Sequence, residues 1–131
     1  MSRYFLTRRA ASDLRNIHRY SIDQWGKKRA DKYVDDIVKT LQKTAKKPAR
    51  GELRKYRSLP FLMVPAAEHF VIYQALKKGI VVATVLHGRR NIEAIIRDMA
   101  PALETEINEI ENNNNSDPGS KSVNAGGERA G

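Results

Sequence analysis

Two apolar runs, residues 69–76 and Ile80–Leu86, separated only by Lys77, Lys78 and Gly79, constrain this chain more than any other feature. The first is rich in β-branched and aromatic residues and the second is almost wholly apolar, so both read as strands. A short turn ending in glycine joins them as an antiparallel hairpin. A strand as apolar as Ile80–Leu86 belongs near the centre of a sheet with at least one face covered. The rest of the chain must therefore supply both further strands and the helices that cover them.

Residues 3–7 read as a short strand ending at Thr7, whose hydroxyl suits the N-cap of a helix beginning at Arg8. Ala10, Leu14, Ile17 and Ser21 share one stripe of that helix, with Trp25 one turn further on as a core anchor, and Gly26 is expected to close it as an αL cap. A second helix is predicted from about Lys28 to Ala45. Its apolar face carries Ala30, Tyr33, Val34, Ile37, Leu41 and Ala45, and Pro48 follows its end. The opposite face carries Lys28, Lys32, Lys39, Lys43 and Lys46, partly offset by Asp35 and Asp36 at i,i+4 spacing. A further short strand is expected around Tyr56–Leu59, broken by Pro60 and again by Pro65. The resulting order, β-α-α-β-β-β, defines an α+β domain in which an N-terminal helical hairpin packs on one face of a small, mainly antiparallel sheet.

Charge is segregated along the 131 residues: positions 1–100 hold 22 Lys/Arg against 9 Asp/Glu, and positions 101–131 hold 2 against 6. The basic part reads as one domain, and its surplus draws polyanions and acidic partners to it without specifying any of them. Residues 101–131 read as an acidic, Asn/Gly/Ser-rich tail. It starts with a short helix over about 100–111, carrying Leu103, Ile107 and Ile110, and is predicted to be disordered from 112 onward. Cysteine is absent, and no segment has the length and hydropathy of a signal peptide or a membrane span. A cytoplasmic protein with no membrane partner is expected.

The inventory is poor in catalytic templates. His18, His69 and His87 form no metal-ligand motif, and neither phosphate-cradling glycine pattern is present, so no metal and no cofactor is expected. What remains is positive charge at strand ends: Arg54, Lys55 and Arg57 near the first hairpin strand, and His87, Arg89 and Arg90 after the last. In metal-free RNA cleavage such cations stabilise the pentavalent phosphate while a histidine moves protons, a role open to Arg57, His87 and Arg89.

Several motifs, in order, carry a resemblance: Ala10-Ala11-Ser12-Asp13-Leu14-Arg15-Asn16-Ile17, Tyr20, Trp25-Gly26, Ala30, Tyr33, and Lys47-Pro48-Ala49-Arg50-Gly51. His69-Phe70-Val71-Ile72-Tyr73 and Val85-Leu86-His87-Gly88-Arg89-Arg90-Asn91 follow. Over roughly residues 3–98 the chain resembles the ParE branch of the ParE/RelE toxin superfamily. The resemblance implies a toxin of a type II toxin–antitoxin system, such as those that stabilise plasmids, neutralised by a cognate ParD-like antitoxin. Its implied target is DNA gyrase, trapped with cleaved DNA, so that DNA is met only through the gyrase complex. His87, Arg89 and Arg90 are the residues expected to contact that target, with no catalytic residue.

The alternative within the superfamily is a RelE-like, ribosome-dependent mRNA endoribonuclease, for which Arg57, His87 and Arg89 are the catalytic set. Such relatives usually place a Tyr near the C-terminus, whereas the tyrosines here stand at 4, 20, 33, 56 and 73. That favours the non-enzymatic reading. A degenerate, non-toxic relative is a further alternative, kept open by the apolar segment 59–67, where the family commonly has a polar, Arg- and Gly-containing approach to the His-x-Ile-x-Tyr strand.

Overall fold

The computed structural model describes residues 3–56 and 59–116. β1 (Arg3–Leu6) leads into α1 (Arg8–Trp25) through Thr7, which is fully buried and holds both elements together. Its hydroxyl accepts from Ala10 N at 3.0 Å, as expected of an N-cap, and donates to the Ala83 carbonyl at 2.7 Å. α2 (Lys27–Lys46) follows after the single residue Gly26. That glycine has φ 90 and ψ 166, an extended left-handed conformation rather than the αL cap expected. It ends one helix and starts the next in one step, which a residue with a Cβ would do only under strain.

Ala30, Ile37, Leu41 and Ala45 of α2 are buried, and Lys28, Lys32, Lys39, Lys43 and Lys46 are exposed, as the periodicity required. The two anticipated ion pairs form, Lys32–Asp36 at 3.3 Å and Lys39–Asp35 at 3.2 Å. A 3-10 turn, Pro48–Arg50, then delivers the chain to the sheet.

β2 (Glu52–Tyr56), β3 (Leu59–Ala66), β4 (His69–Leu76) and β5 (Gly79–His87) complete a five-stranded sheet of order β1-β5-β4-β3-β2. All neighbours are antiparallel except β1 and β5, which run parallel. The single strand expected near Tyr56–Leu59 is thus two strands, and neither Pro60 nor Pro65 ends β3. Pro60 is the second residue of the strand, and Pro65 lies beyond Glu52↔Met63, the last β2–β3 partner pair. Both are places where a missing N–H is tolerated. The apolar character of 59–67 has a packing cause, since Phe61, Val64 and Ala66 are buried. At the β4–β5 turn, Gly79 has φ 145, and a Cβ there would overlap the Arg3 carbonyl of β1.

Both faces of the sheet are covered, not one. On the first, Val71, Tyr73, Ile80, Val82 and Val85 pack with Ala10, Ile37, Leu41 and Ala45 of the helical hairpin. On the second, Phe5, Phe61, Ile72, Val81 and Ala83 pack with Ile96, Leu103 and Ile107 of α3 (Ile92–Ser116). This is why β5 alternates between two buried directions and reads as continuous apolar sequence. α3 is far longer than the short helix expected at 100–111. It begins directly after Asn91, whose Oδ1 accepts from Ala94 N at 3.2 Å, passes through Pro101, and includes residues 112–116, where disorder was expected. The predicted disorder of 117–131 falls outside the described residues. No described helix is long and apolar enough to cross a membrane.

Candidate functional site

The functional geometry begins with a register shift. Near the hairpin turn Tyr73 pairs with Val82, but beyond it Ile72 pairs with Thr84, leaving Ala83 as an extra residue on β5. The extra residue moves every later pair by one position, so His69 lies opposite His87 and both side chains leave the same face of the sheet. Without the bulge His69 would face Leu86 and the two imidazoles would point to opposite sides. The Ala83 carbonyl is the one that accepts the Thr7 hydroxyl, so the irregularity is tied to the start of α1.

The His69 and His87 rings meet edge to face with centroids 5.0 Å apart. Tyr33 of α2 reaches His69, its ring 5.7 Å away and its hydroxyl 2.8 Å from Nδ1. Glu68 N donates to the same hydroxyl at 3.2 Å, so the phenol oxygen bridges the Glu68 backbone and His69 Nδ1, the direction of the latter bond following the His69 tautomer. Arg89 N donates to His87 Nδ1 at 3.1 Å, so the neutral His87 ring carries its proton on Nε2, 3.6 Å from Glu68 Oε1. Trp25 extends the row of rings, 5.9 Å from Tyr33, with the Arg29 guanidinium 4.9 Å from its centroid. Burial, then the neighbouring His87, hold the His69 imidazolium below its ordinary pKa, against a weaker pull from Glu68. Burial likewise raises the Tyr33 phenol.

These groups line a cleft of about 570 Å³ between α1, the start of α2 and the ends of β4 and β5. Its α1 wall presents Asp13, Asn16, Tyr20 and Trp25, and its rim carries Arg89 and Arg90. Asp13 fixes that wall to the sheet, because its Oδ2 accepts from the Thr84 hydroxyl and, at 2.9 Å, from Val85 N. Burial raises the Asp13 carboxyl above the usual carboxylate range, although the Thr84 and Val85 bonds and the charges of Arg9 and Arg90 pull the other way.

Of the residues singled out from sequence, His87, Arg89 and Arg90 come together here, His87 half-buried at the end of β5 and both arginines exposed in the following turn. Arg57 lies outside the described residues, and Arg54 and Lys55 lie within β2. Tyr73 is fully buried, whereas Trp25, expected as a core anchor, is 43% exposed, and Tyr20 is 62% exposed. Sequence reasoning missed the grouping of Tyr20, Trp25, Tyr33, Glu68 and His69 with His87. Folding the hairpin about Lys77–Lys78 brings residues 69 and 87 near each other, but only the bulge puts them on one face. Among the described residues no cluster of three or more His, Asp or Glu is arranged to hold a metal ion.

A domain with this helical hairpin and mixed sheet has known relatives. The chain matches the family described as "ParE toxin of type II toxin-antitoxin system, parDE" over residues 4–92, and it belongs to that family. It is 29% identical over 94 residues to Toxin ParE1 of Caulobacter vibrioides, covering 72% of this chain and 97% of that protein. It is 27% identical over 101 residues to Toxin ParE of Escherichia coli, covering 75% and 96% respectively. A solved structure described as "Chromosomal ParDE TA system from P. aeruginosa" shares the fold with a TM-score of 0.57 at 21% identity, over 66% of this chain and 96% of that one.

Proposed function

We propose that this ParE-family toxin inhibits DNA gyrase by trapping its cleaved-DNA complex in the bacterial cytoplasm, and that a cognate ParD-like antitoxin neutralises it. Binding alone would do this, with no bond made or broken by the toxin. The observation that carries the reading is the state of His87. Its Nδ1 is occupied by the Arg89 backbone N–H and its Nε2–H faces Glu68, while Arg89 and Arg90 stand exposed on the rim. A ring held this way is a poor general base, which must have a free nitrogen within reach of the proton it takes. Exposed arginines on a cleft rim suit charge-assisted contacts with a large partner.

The antitoxin has a separate surface available. A groove of about 470 Å³ runs between α1 and α2 beside β1, lined by Leu6, Ala11, Leu14, Val34 and Val38, with Arg15, His18, Asp31 and Asp35 also contributing. An amphipathic segment can bury its apolar face there and meet both signs of charge at the edges.

Induced expression in bacterial cells tests the reading. The wild-type chain is expected to arrest growth, the antitoxin to relieve the arrest, and the Arg89→Glu/Arg90→Glu variant to leave growth normal while still folding. Site-specific mRNA cuts that disappear on His87→Ala would instead establish the endoribonuclease reading.

A further inference from the structure

The target-contacting cleft combines three features that together describe one kind of ligand. A row of rings, Trp25, Tyr33, His69 and His87, forms one wall, and Tyr20 stands 62% exposed on the neighbouring α1 surface. Arg89 and Arg90 are exposed at the mouth. The lining also carries hydrogen-bonding groups of both kinds, the Asn16 amide and the Glu68 carboxylate, both on exposed residues. Aromatic faces stack on bases, arginines meet phosphates, and carboxylate or amide oxygens accept from the amino and imino groups of base edges. An acidic peptide would satisfy the arginines but be repelled by the exposed Glu68, and would leave the exposed rings without a stacking partner.

We propose that the cleft between α1 and the β4–β5 ends takes an unpaired nucleotide of a single-stranded nucleic acid, with its base on the aromatic wall and its phosphates at Arg89 and Arg90. This deepens the gyrase reading, on which it rests for its biological setting, by placing the toxin in direct contact with the broken strand. A base inside a duplex presents no free face, so single strands are the ligand.

Trp25 is the sole tryptophan and lines the cleft, so its fluorescence reads occupancy directly. Titration of the purified full chain with oligothymidylate of about 12 nucleotides is expected to quench it saturably, and a duplex of equal length to bind more weakly. Tyr20→Ala, at an exposed site, is expected to weaken binding by about tenfold through lost stacking. Arg89→Glu/Arg90→Glu is expected to weaken it by at least about tenfold and to flatten its salt dependence. The control Lys28→Glu/Lys43→Glu, which changes charge equally on the far face of α2, is expected to change affinity much less. Circular dichroism confirms that each variant is folded.

Oligouridylate in parallel distinguishes the source of the strand. Equal or tighter binding of DNA supports contact with gyrase's cleaved strand, and preference for RNA supports the site while detaching it from gyrase. Absence of saturable quenching, duplex binding as tight as single-strand binding, or an equal loss in the control variant overturns the proposal. A negative gyrase assay beside positive quenching removes the gyrase reading and leaves the cleft assignment standing.

Discussion

The Glu106 carboxylate of α3 accepts a hydrogen bond from the backbone N–H of Arg8, the first residue of α1, at 2.8 Å. One of the unsatisfied donors at the start of α1 is thereby closed from 98 residues away, and the carboxylate sits where the helix dipole favours negative charge. The Arg8 guanidinium, 3.8 Å from the same oxygen, is exposed and adds little. The contact joins two elements that cover opposite faces of the sheet.

The folding unit is accordingly expected to extend to the end of α3. Leu103 and Ile107 are 4% and 3% exposed, and burial of such a side chain contributes about 1.5–3 kcal/mol. Deletion of residues 101–131 should therefore lower the thermal midpoint sharply. Glu106→Ala should cost about 1 kcal/mol. Thermal melts of the two variants check this.

Asp13 is expected to act as an acceptor more than as a charge. The same oxygen serves both Thr84 and Val85, so Asp13→Asn keeps an acceptor there and removes a buried charge, with little net loss. Asp13→Ala strands the Val85 N–H and should cost about 1–3 kcal/mol. Urea denaturation of the two variants separates these outcomes.

Tyr73 ties the sheet to the chain leaving α2, its hydroxyl donating to the Pro48 carbonyl and accepting from Gly51 N at 3.0 Å. Tyr73→Phe leaves both backbone groups unserved and should destabilise by about 1–3 kcal/mol. Gly51→Ala should destabilise as well, because its Cβ would overlap the Tyr73 hydroxyl. Equilibrium unfolding measures both.

Acid should weaken the fold through His69. Its folded pKa lies below its unfolded value of about 6.5, so as pH falls the unfolded chain takes up this proton before the folded one. This contribution is level well above about pH 6.5, and stability is lost as pH drops from there toward the folded value. Thermal midpoints measured between about pH 7.5 and 5 should fall for the wild type and fall less for His69→Gln, which keeps an acceptor for Tyr33.

Local rules made much of this legible in the sequence. Thr7 at a cap, the apolar stripe of α2, its i,i+4 ion pairs and the continuous apolar run of β5 are all properties of short windows, and each folded as its pattern required. The expectations that failed needed non-local information. Pro60 and Pro65 read as breaks because their tolerance depends on where β2 pairs and where it stops. Trp25 read as core because its spacing continues the stripe, but Ser21 is the last buried residue of α1. The acidic, Asn-rich composition after Leu103 made the last helix read as short, whereas packing with Phe61 and Val81 sustains a longer one. Arg89 and Arg90 were visible as charges, but the ring wall beside them depends on the extra residue Ala83.

Purified DNA gyrase, incubated with plasmid DNA, ATP and this protein, tests the central claim most directly when both supercoiling and trapped double-strand breaks are scored. Reduced supercoiling with accumulation of linear, gyrase-linked DNA is expected, with loss of both effects in folded Arg89→Glu/Arg90→Glu. Unchanged supercoiling and no cleaved DNA, with wild-type protein shown to be folded, would contradict it.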